Sequence, residues 1–204
     1  MTQRKPTRRQ SPDEFEVLSL TPDRWNDLAR LFGPEGAFKG CWCMWWRQTE
    51  SEHFAGRSGR NRQRLRRLSA EDPPPGLIAY LDGRPVGWCS IGPRDSYPRL
   101  QRSGSLKPID DRSVWSIVCF YVEPGHRQRG VASELLQAAL EHARSYEATA
   151  VEAYPVDGKP RLVEDHTGFV PMFTRAGFKE VARRAKRRPI MRRELRPRRG
   201  SSAR

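Results

Sequence analysis

The sequence lacks the features that would assign it to a membrane or secreted class of protein. None of the apolar runs among its 204 residues is long enough to span a bilayer. The first residues, Met1–Pro12, are basic and polar and lack the apolar centre of a secretory signal. Cysteine is scarce and occurs only as Cys41, Cys43, Cys89 and Cys119. Without an export signal this favours a reducing compartment, and we expect a cytoplasmic protein that contacts no membrane.

Patterns that bind metal are also missing. The spacing Cys41-x-Cys43 is narrower than that of the pairs that hold structural zinc, and no second pair accompanies it. We therefore predict no metal. The surrounding segment, Cys41–Trp46, is rich in tryptophan. It indicates either the wall of a ligand pocket or ordinary core packing.

Acidic residues are outnumbered, and the imbalance is confined to the two ends of the chain. The formal charge is +14, from 38 lysines and arginines against 24 acidic residues. Met1–Pro12 holds four basic residues and no acidic one, and Arg183–Arg204 holds eleven against one, so the remainder is balanced. We predict disordered basic tails at 1–12 and 196–204 around one domain at 13–195. Attraction of the tails to nucleic acid is less favoured, because no aromatic residue is interleaved with the arginines for stacking.

Hydrophobic periodicity and turn residues divide the domain into strands and helices. The Asp82-Gly83 dipeptide between two apolar runs is typical of a β-hairpin, and Gly92–Arg112 is expected to form a loop. Six to seven strands are predicted, at Glu14–Leu20, Leu77–Leu81, Val86–Ile91, Val114–Val122, Ala148–Tyr154, Phe178–Arg184 and Pro189–Leu195. About four helices are predicted, at 22–32, 61–69, 133–144 and 168–176.

The segment between the strand at 114–122 and the next helix combines a tight turn with basic residues. Its sequence is Arg127-Gln128-Arg129-Gly130-Val131-Ala132. Main-chain N–H groups in the first turn of a helix have no partner within the helix, and the helix dipole favours negative charge there. Gly130 has no side chain to block a close approach, and arginine suits phosphate oxygens. The segment therefore predicts an anion site.

The spacing Arg127-x-x-Gly130-x-Ala132 resembles the pyrophosphate-binding motif of the GNAT acetyltransferase superfamily. A second segment, Met172-Phe173-Thr174-Arg175-Ala176-Gly177-Phe178, resembles the late helix and strand start of the same superfamily. The order of the predicted elements from 14 to 195 is similar to the whole fold. The resemblance implies an α/β (α+β) architecture, in which about four helices flank a mixed central sheet of six to seven strands.

The resemblance also implies transfer of an acetyl group from acetyl-CoA to a primary amine. Two parallel strands, at 114–122 and 148–154, are expected to separate at their carboxyl ends, so that pantetheine pairs with exposed main-chain groups. The residues expected to contact pantetheine are Phe120, Tyr121 and Val122. Those expected to bind the pyrophosphate are Arg127, Gln128, Arg129, Gly130, Val131, Ala132 and Ser133.

The general acid departs from the family pattern. Many members have a tyrosine four residues before the glycine of the late helix, where this chain has Phe173. Substitutes near the expected cleft are Glu152, Tyr154 and His166, which are able to transfer a proton. Each also has a structural interpretation: a polar strand residue, a pocket wall and a helix-capping or surface histidine, respectively. Cys119, in a predicted central strand, is expected to be an inert buried thiol.

Two other functions are compatible with the sequence. A non-catalytic acyl-CoA-binding regulatory module is consistent with the missing tyrosine. A nucleic-acid- or ribosome-associated protein is consistent with the basic tails. The acceptor amine is either a small molecule or a protein, and the chain is either a monomer or a homodimer.

Overall fold

The computed structural model describes residues 14–159 and 165–196. The predicted tails at 1–12 and 196–204 lie outside these ranges, except for Arg196. Seven strands in the described residues form one sheet: β1 Phe15–Ser19, β2 Gly76–Leu81, β3 Arg84–Pro93, β4 Trp115–Val122, β5 Ala150–Ala153, β6 Lys179–Ala185 and β7 Arg188–Glu194. The predicted strands are confirmed, and their ends shift by no more than two residues.

Six α-helices lie within the described ranges: α1 Trp25–Phe32, α2 Glu50–Gly56, α3 Arg60–Leu68, α4 Pro98–Arg102, α5 Val131–Ser145 and α6 Val170–Arg175. Four of these, α1, α3, α5 and α6, match the predicted helices. None of the helices in this part of the chain is long and apolar enough to cross a membrane.

The two additional helices have local causes. A capping box starts α2, because Thr49 Oγ1 accepts from the N–H of Glu52 at 3.3 Å while the Glu52 carboxylate accepts from the N–H of Thr49 at 2.9 Å. The prediction of a loop at Gly92–Arg112 is wrong in part, since α4 lies within it. Pro98 at the first position favours the start of α4. A helix of five residues is too short to show a periodic pattern.

The sheet is mixed, with the strand order β1-β2-β3-β4-β5-β7-β6. Neighbouring strands are antiparallel except for β4 and β5, which run parallel. A parallel pair needs a long crossover, and α5 supplies it. The predicted architecture of a mixed central sheet with flanking helices is therefore confirmed.

The core has two faces. On one face α5 buries Val131, Leu135, Leu136, Ala139, Leu140 and Ala143 against the sheet. Gly87 on β3 allows the close approach, because a Cβ atom there would lie 2.8 Å from Cγ1 of Val131. On the other face, α1, α3 and the segment between α1 and α2 cover the sheet. The start of α5 is thus held close to the end of β4.

Much of the C-terminal positive charge belongs to the sheet. Arg183 on β6 forms an ion pair with Glu180, and Arg192 on β7 forms ion pairs with Asp110 and Glu152. The C-terminal arginines up to the end of β7 are therefore part of the folded domain. The expectation that the excess positive charge lies outside a charge-balanced domain is wrong for this stretch. Sequence counting does not separate arginines of a strand from arginines of a tail.

Candidate functional site

β4 and β5 separate after three paired positions. Trp115 lies opposite Val151 and Ile117 lies opposite Ala153, and beyond this β4 continues to Val122 without β5 beside it. The gap opens at the carboxyl end of a parallel pair, which is where open α/β sheets bind ligands.

A β-bulge marks the point of separation. Ser90 and Ile91 are adjacent on β3, yet they lie opposite Cys119 and Ile117, so Val118 is an extra residue on β4. A bulge bends its strand and increases the local twist. The bulge therefore helps to turn the end of β4 away from β5.

Alternate residues of β4 direct their main chain into the gap. The N–H of Glu123 donates to the carbonyl of Val86, on the β3 side, at 3.0 Å. Because the direction of hydrogen bonding alternates along an antiparallel pair, Phe120 and Val122 direct their N–H and C=O groups away from β3. Tyr121 directs its main chain toward β3. Of the three residues predicted to contact pantetheine, two face the gap with their main chain.

The turn after β4 presents main-chain N–H groups without partners. Gln128 and Gly130 have φ values of 60° and 84°, and Gly130 is the N-cap of α5. Within the described residues, the N–H groups from Gln128 to Ala132 make no hydrogen bond, whereas those of Ser133 and Glu134 donate to the carbonyl of Gly130. Five main-chain donors at a helix N-terminus are thus available to an anion.

The side chains of the turn add to this arrangement. Arg127 donates from Nε to the carbonyl of Val122 at 3.1 Å, which ties the turn to the end of β4. Arg129 and Ser133 are exposed beside the available N–H groups. The residues predicted to bind the pyrophosphate therefore lie together in one turn, next to the gap that Phe120 borders.

Two of the three predicted catalytic residues lie in a buried network. Glu152 on β5 is 1 % exposed and accepts hydrogen bonds from Arg94 at 2.8 Å and from Arg192 at 2.7 Å. Tyr154 is fully buried, and its hydroxyl lies 2.8 Å from that of Ser116 and 3.0 Å from the Glu152 carboxylate. The guanidinium groups of Arg94 and Arg192 thus share the Glu152 carboxylate. Through it, β5 is connected to β7 by Arg192 and to the end of β3 by Arg94.

The surroundings of Tyr154 keep its phenol neutral. Burial raises the pKa of Tyr154 well above its ordinary value, and the adjacent Glu152 carboxylate raises it further. At the outer end of the network, the hydrogen bond from Arg192 lowers the pKa of Asp110. At neutral pH the Asp110 carboxylate is therefore ionised and the Tyr154 phenol is protonated.

His166, the third predicted catalytic residue, lies at an open cleft of about 510 Å³. The indole N–H of Trp46 donates to Nε2 of His166 at 3.3 Å. Arg188 connects the cleft to the end of β5, because its guanidinium donates to the carbonyl of Tyr154 at 3.1 Å and to the hydroxyl of Thr167 at 2.9 Å. The side chains of Glu152 and Tyr154 face the buried network, and that of His166 faces the cleft.

Phe173 occupies an enclosed apolar position. It is fully buried in α6, and its ring packs edge-on against Phe178 at 5.1 Å and against Phe120 at 6.1 Å between ring centroids. Since Phe120 borders the gap with its main chain, Phe173 lies directly behind the gap on the α5 face.

The four cysteines form no disulfide. Cys119 lies in the central strand β4, as expected, and is half-buried where a buried thiol was expected. The neighbouring thiol of Cys43, and then burial, raise the pKa of Cys119 well above its usual value. In the ranges that the structure describes, no group of three or more His, Cys, Asp or Glu side chains is arranged to hold a metal ion.

A larger cleft, of about 670 Å³, lies where β4 and β5 begin. Arg112, Trp115, Tyr146 and Thr149 are among its lining residues. None of the residues predicted for the site lines this cleft. The residues predicted to bind acetyl-CoA instead lie at the opposite end of β4, and Glu152 is connected to the larger cleft through Arg94, which lines it.

Two residues that shape the site are missed by the sequence pattern. Arg192 lies directly opposite Glu152 in the pairing of β5 with β7, and only knowledge of that register would have found it. Gln48 lines the smaller cleft and immediately precedes Thr49, the first residue of the capping box of α2. The capping box predicts the start of the helix, but it does not predict that the preceding residue lines a cleft.

The comparisons with known proteins agree with this arrangement. A sequence model of the Acetyltransferase (GNAT) family matches residues 38–169. The PaiA N-acetyltransferase of Thermoplasma acidophilum, solved with coenzyme A, is similar in structure with a TM-score of 0.53 and 12% identity, over 89% of this chain and 99% of that chain. An acetyltransferase of the GNAT family from Streptococcus pneumoniae gives a TM-score of 0.50 and 14% identity, over 89% and 99%. No curated protein matches the chain.

PH1933 from Pyrococcus horikoshii OT3 is also similar, with a TM-score of 0.53 and 16% identity, over 90% of this chain and 99% of that chain. At such identities a likeness between structures supports the fold alone. The family match over 38–169 is independent of it and spans most of the described residues.

Proposed function

Because the chain belongs to the GNAT acetyltransferase family, we propose that it is an N-acetyltransferase, which transfers an acetyl group from acetyl-CoA to a primary amine. The observation that carries this proposal is the gap between β4 and β5, which leads to a turn with five available main-chain N–H groups. A separated parallel pair followed by a helix N-terminus suits a ligand with an extended polar arm and a diphosphate.

In the proposed complex, the main chain makes most of the contacts with acetyl-CoA. Phe120 pairs its N–H and C=O groups, and Val122 its N–H group, with the pantetheine amides, as an added strand pairs with the edge of a sheet. The Val122 carbonyl already accepts from Arg127. The N–H groups of 128–132 hold the pyrophosphate, with Arg129 and the Ser133 hydroxyl as further donors. Acetyl-CoA supplies the thioester as acyl donor. An N–H of β4 that faces the gap is the group available to polarise the thioester carbonyl.

We assign proton transfer to His166. It lines the open cleft, and the hydrogen bond from Trp46 orients its ring. Nε2 of a neutral imidazole exchanges the hydrogen bond from Trp46 for the proton that the amine loses on forming the new C–N bond, and then delivers that proton to the departing thiolate. Phe173 has no proton to give, so His166 serves both steps.

Glu152 and Tyr154 stay predictions as proton-transfer groups, and their burial supports a positioning role. Both side chains fix the end of β5 beside the gap through the network with Arg94 and Arg192. Tyr154→Phe separates the two roles. A positioning residue leaves the shape of the pH–rate profile intact, whereas loss of a proton donor changes that profile and lowers kcat by about a hundredfold or more.

The proposal is tested by incubating the protein with acetyl-CoA and a library of primary amines, and by measuring thiol release. We expect release with at least one amine and saturable binding of CoA by calorimetry. His166→Gln is expected to lower kcat by about a hundredfold or more, while the CoA affinity reports whether the fold persists. Absence of CoA binding at high concentration would contradict the proposal.

A non-catalytic acyl-CoA-binding module is the second candidate. One observation favours it: Phe173, at the position where the family commonly has a tyrosine, is fully buried between Phe120 and Phe178. This candidate requires CoA binding without thiol release for every amine tested. The same assay therefore decides between the two functions.

A further inference from the structure

The cleft beside His166 adjoins the point where β4 bulges. Trp46 and Leu106 line the cleft and pack with Val118, the extra residue of β4, in one apolar cluster. This cluster lies on the face of the sheet opposite α5, since α5 packs with a different set of residues. The cleft therefore lies near the last paired residues of β4 and β5, on the face of the sheet opposite α5. The turn before α5 does not cover this face.

Positive side chains outnumber negative ones on the walls of the cleft. Arg99, Arg102 and Arg188 line it, and Glu50 is the one carboxylate among its described lining residues. Glu50 is exposed and lies 4.0 Å from Arg99, so this ion pair is weak. Such a cleft disfavours a ligand with several positive charges and favours one with a negative group.

A buried amide in the wall of the cleft has no hydrogen-bond partner. Gln48 lines the cleft and is 4 % exposed, and in the described part of the chain neither its Nε2 nor its Oε1 makes a hydrogen bond. Native proteins keep few buried polar groups without partners. The NH₂ group of an amide donates hydrogen bonds and suits an oxygen of an acid group, and its C=O group accepts and suits an N–H of the same ligand.

A fixed guanidinium, that of Arg99, lines the same cleft. The guanidinium carbon of Arg99 lies 3.6 Å from the ring centroid of Trp45, and Arg99 Nε donates to the Trp45 carbonyl at 2.8 Å. The Nη2 atom of Arg99 is buried and makes no hydrogen bond with a described residue. A guanidinium held flat against an indole suits a carboxylate or phosphate carried beside an apolar surface.

Given the proposed N-acetyltransferase function, we propose that the acceptor is a primary amine that also carries an acid group on a compact apolar body, and that Gln48 and Arg99 bind that acid group. The acid group is a carboxylate or a phosphate, since both offer the oxygens that an amide and a guanidinium recognise. Aromatic amino acids have this chemistry, and so do aminoalkyl phosphates. Polyamines do not.

Matched amines test the inference, because each pair differs only in the acid group. Phenylalanine is compared with phenethylamine and tryptophan with tryptamine for the carboxylate, and phosphoethanolamine with ethanolamine for the phosphate. We expect kcat/KM to be at least about tenfold higher for the acid-bearing member in one of these series, with spermidine below both members. Equal values within every pair, or spermidine as the best acceptor, would overturn the inference.

Two variants locate the effect. Gln48→Met and Arg99→Gln are each expected to bring the ratio of kcat/KM within a pair toward one, mainly through KM. Gln48→Met is also expected to raise the melting temperature, because it removes a buried amide without partners. Gln63→Met, at an exposed position of α3, is the matched control and is expected to keep the ratio. A lower melting temperature in Gln48→Met with an unchanged ratio would make Gln48 a structural residue and contradict the inference.

Binding measurements separate this inference from the proposed function. Calorimetry with CoA present measures binding of each amine without requiring turnover. Binding of the acid-bearing members without acetylation would refute the enzymatic function and retain only the assignment of the acid-binding site to Gln48 and Arg99. Acetylation of acid-free amines alone would retain the function and refute the inference. Failure of every acid-bearing amine to bind would refute the inference in either case.

Discussion

The two sides of the gap between β4 and β5 are built from different parts of the polypeptide. On the α5 side, the available donors are main-chain N–H groups at 128–132, set by a left-handed Gly130 and the start of a helix. On the cleft side, the groups are the side chains of Gln48, Arg99 and His166, which come from three separate segments. The first side depends on local backbone conformation, and the second depends on tertiary packing. Substitutions should therefore act very differently on the two sides.

The buried network of Glu152, at the paired part of β4 and β5, carries the largest expected effect. Glu152→Ala leaves Arg94 and Arg192 buried without their shared carboxylate, and breaking a buried pair costs about 3–5 kcal/mol of unfolding free energy. Urea titration measures this loss. Glu194→Ala removes an ion pair with Arg112 in which both side chains are exposed, and it is expected to lose less than about 1 kcal/mol. Equal losses would show that the network is no stronger than a surface pair.

Gly130→Asp tests the main-chain side. Its φ of 84° is one that residues with side chains rarely adopt, and the new carboxylate would lie beside the unpaired N–H groups. We expect CoA affinity, measured by calorimetry, to fall by about a hundredfold, or about 3 kcal/mol. Gly59→Asp is the matched control, because Gly59 also caps a helix with a positive φ in open space. Wild-type affinity in Gly130→Asp would show that the diphosphate lies elsewhere.

The cleft side is expected to lose stability in acid through His53. Burial, together with repulsion from Arg57 and Arg99, lowers the pKa of His53 to about 4. The imidazole is thus neutral in the fold, whereas the unfolded chain takes up a proton below about pH 6.5. The contribution of His53 is complete above about pH 6.5 and is lost as the pH falls toward 4, by about 2–3 kcal/mol.

His53→Phe tests this dependence, because the new ring keeps an aromatic contact with Trp45 and does not titrate. The difference in unfolding free energy between the variant and the wild type should grow in favour of the variant between pH 6.5 and 4. Burial also lowers the pKa of His142, so part of the slope should remain in the variant. Parallel curves for the two proteins would contradict a neutral His53.

Phe173→Tyr carries the smallest expected effect. The residue is fully buried, and a new hydroxyl without a partner there is expected to lower the unfolding free energy by about 1–2 kcal/mol while the fold persists. Phe54→Tyr, at a position 46% exposed, is the control and should change little. Faster thiol release at unchanged stability in Phe173→Tyr would mean that the hydroxyl reaches the gap, and would contradict its enclosed position.

The features that the sequence predicts well depend on neighbouring residues. Asp82-Gly83 sets the hairpin between β2 and β3, and Gly130 sets the turn before α5, because each dictates the conformation of its own backbone. The capping box of Thr49 and Glu52 belongs to the same class and would have predicted α2. The architecture and the main-chain side of the gap are therefore readable from the sequence.

The surroundings of individual side chains are not readable in this way. Glu152 lies between two arginines only because β5 pairs with β7 in one particular register. The amide of Gln48 is buried, and the cleft that it lines is shared with residues distant in sequence, including Arg99, His166 and Arg188. A carboxylate in a strand and an amide before a helix look alike in sequence whether they are exposed or enclosed. The candidate proton-transfer residues could therefore be named from the sequence, but their environments could not.

The binding of CoA by main-chain groups is open to observation by NMR. Titration of CoA into isotope-labelled protein reports the change in chemical shift of each main-chain amide. We expect the largest changes at Gln128–Ala132, with Phe120 and Val122 next. Largest changes around Trp115 and Thr149, in the larger cleft at the opposite end of β4, with the turn before α5 unaffected, would contradict the proposed site.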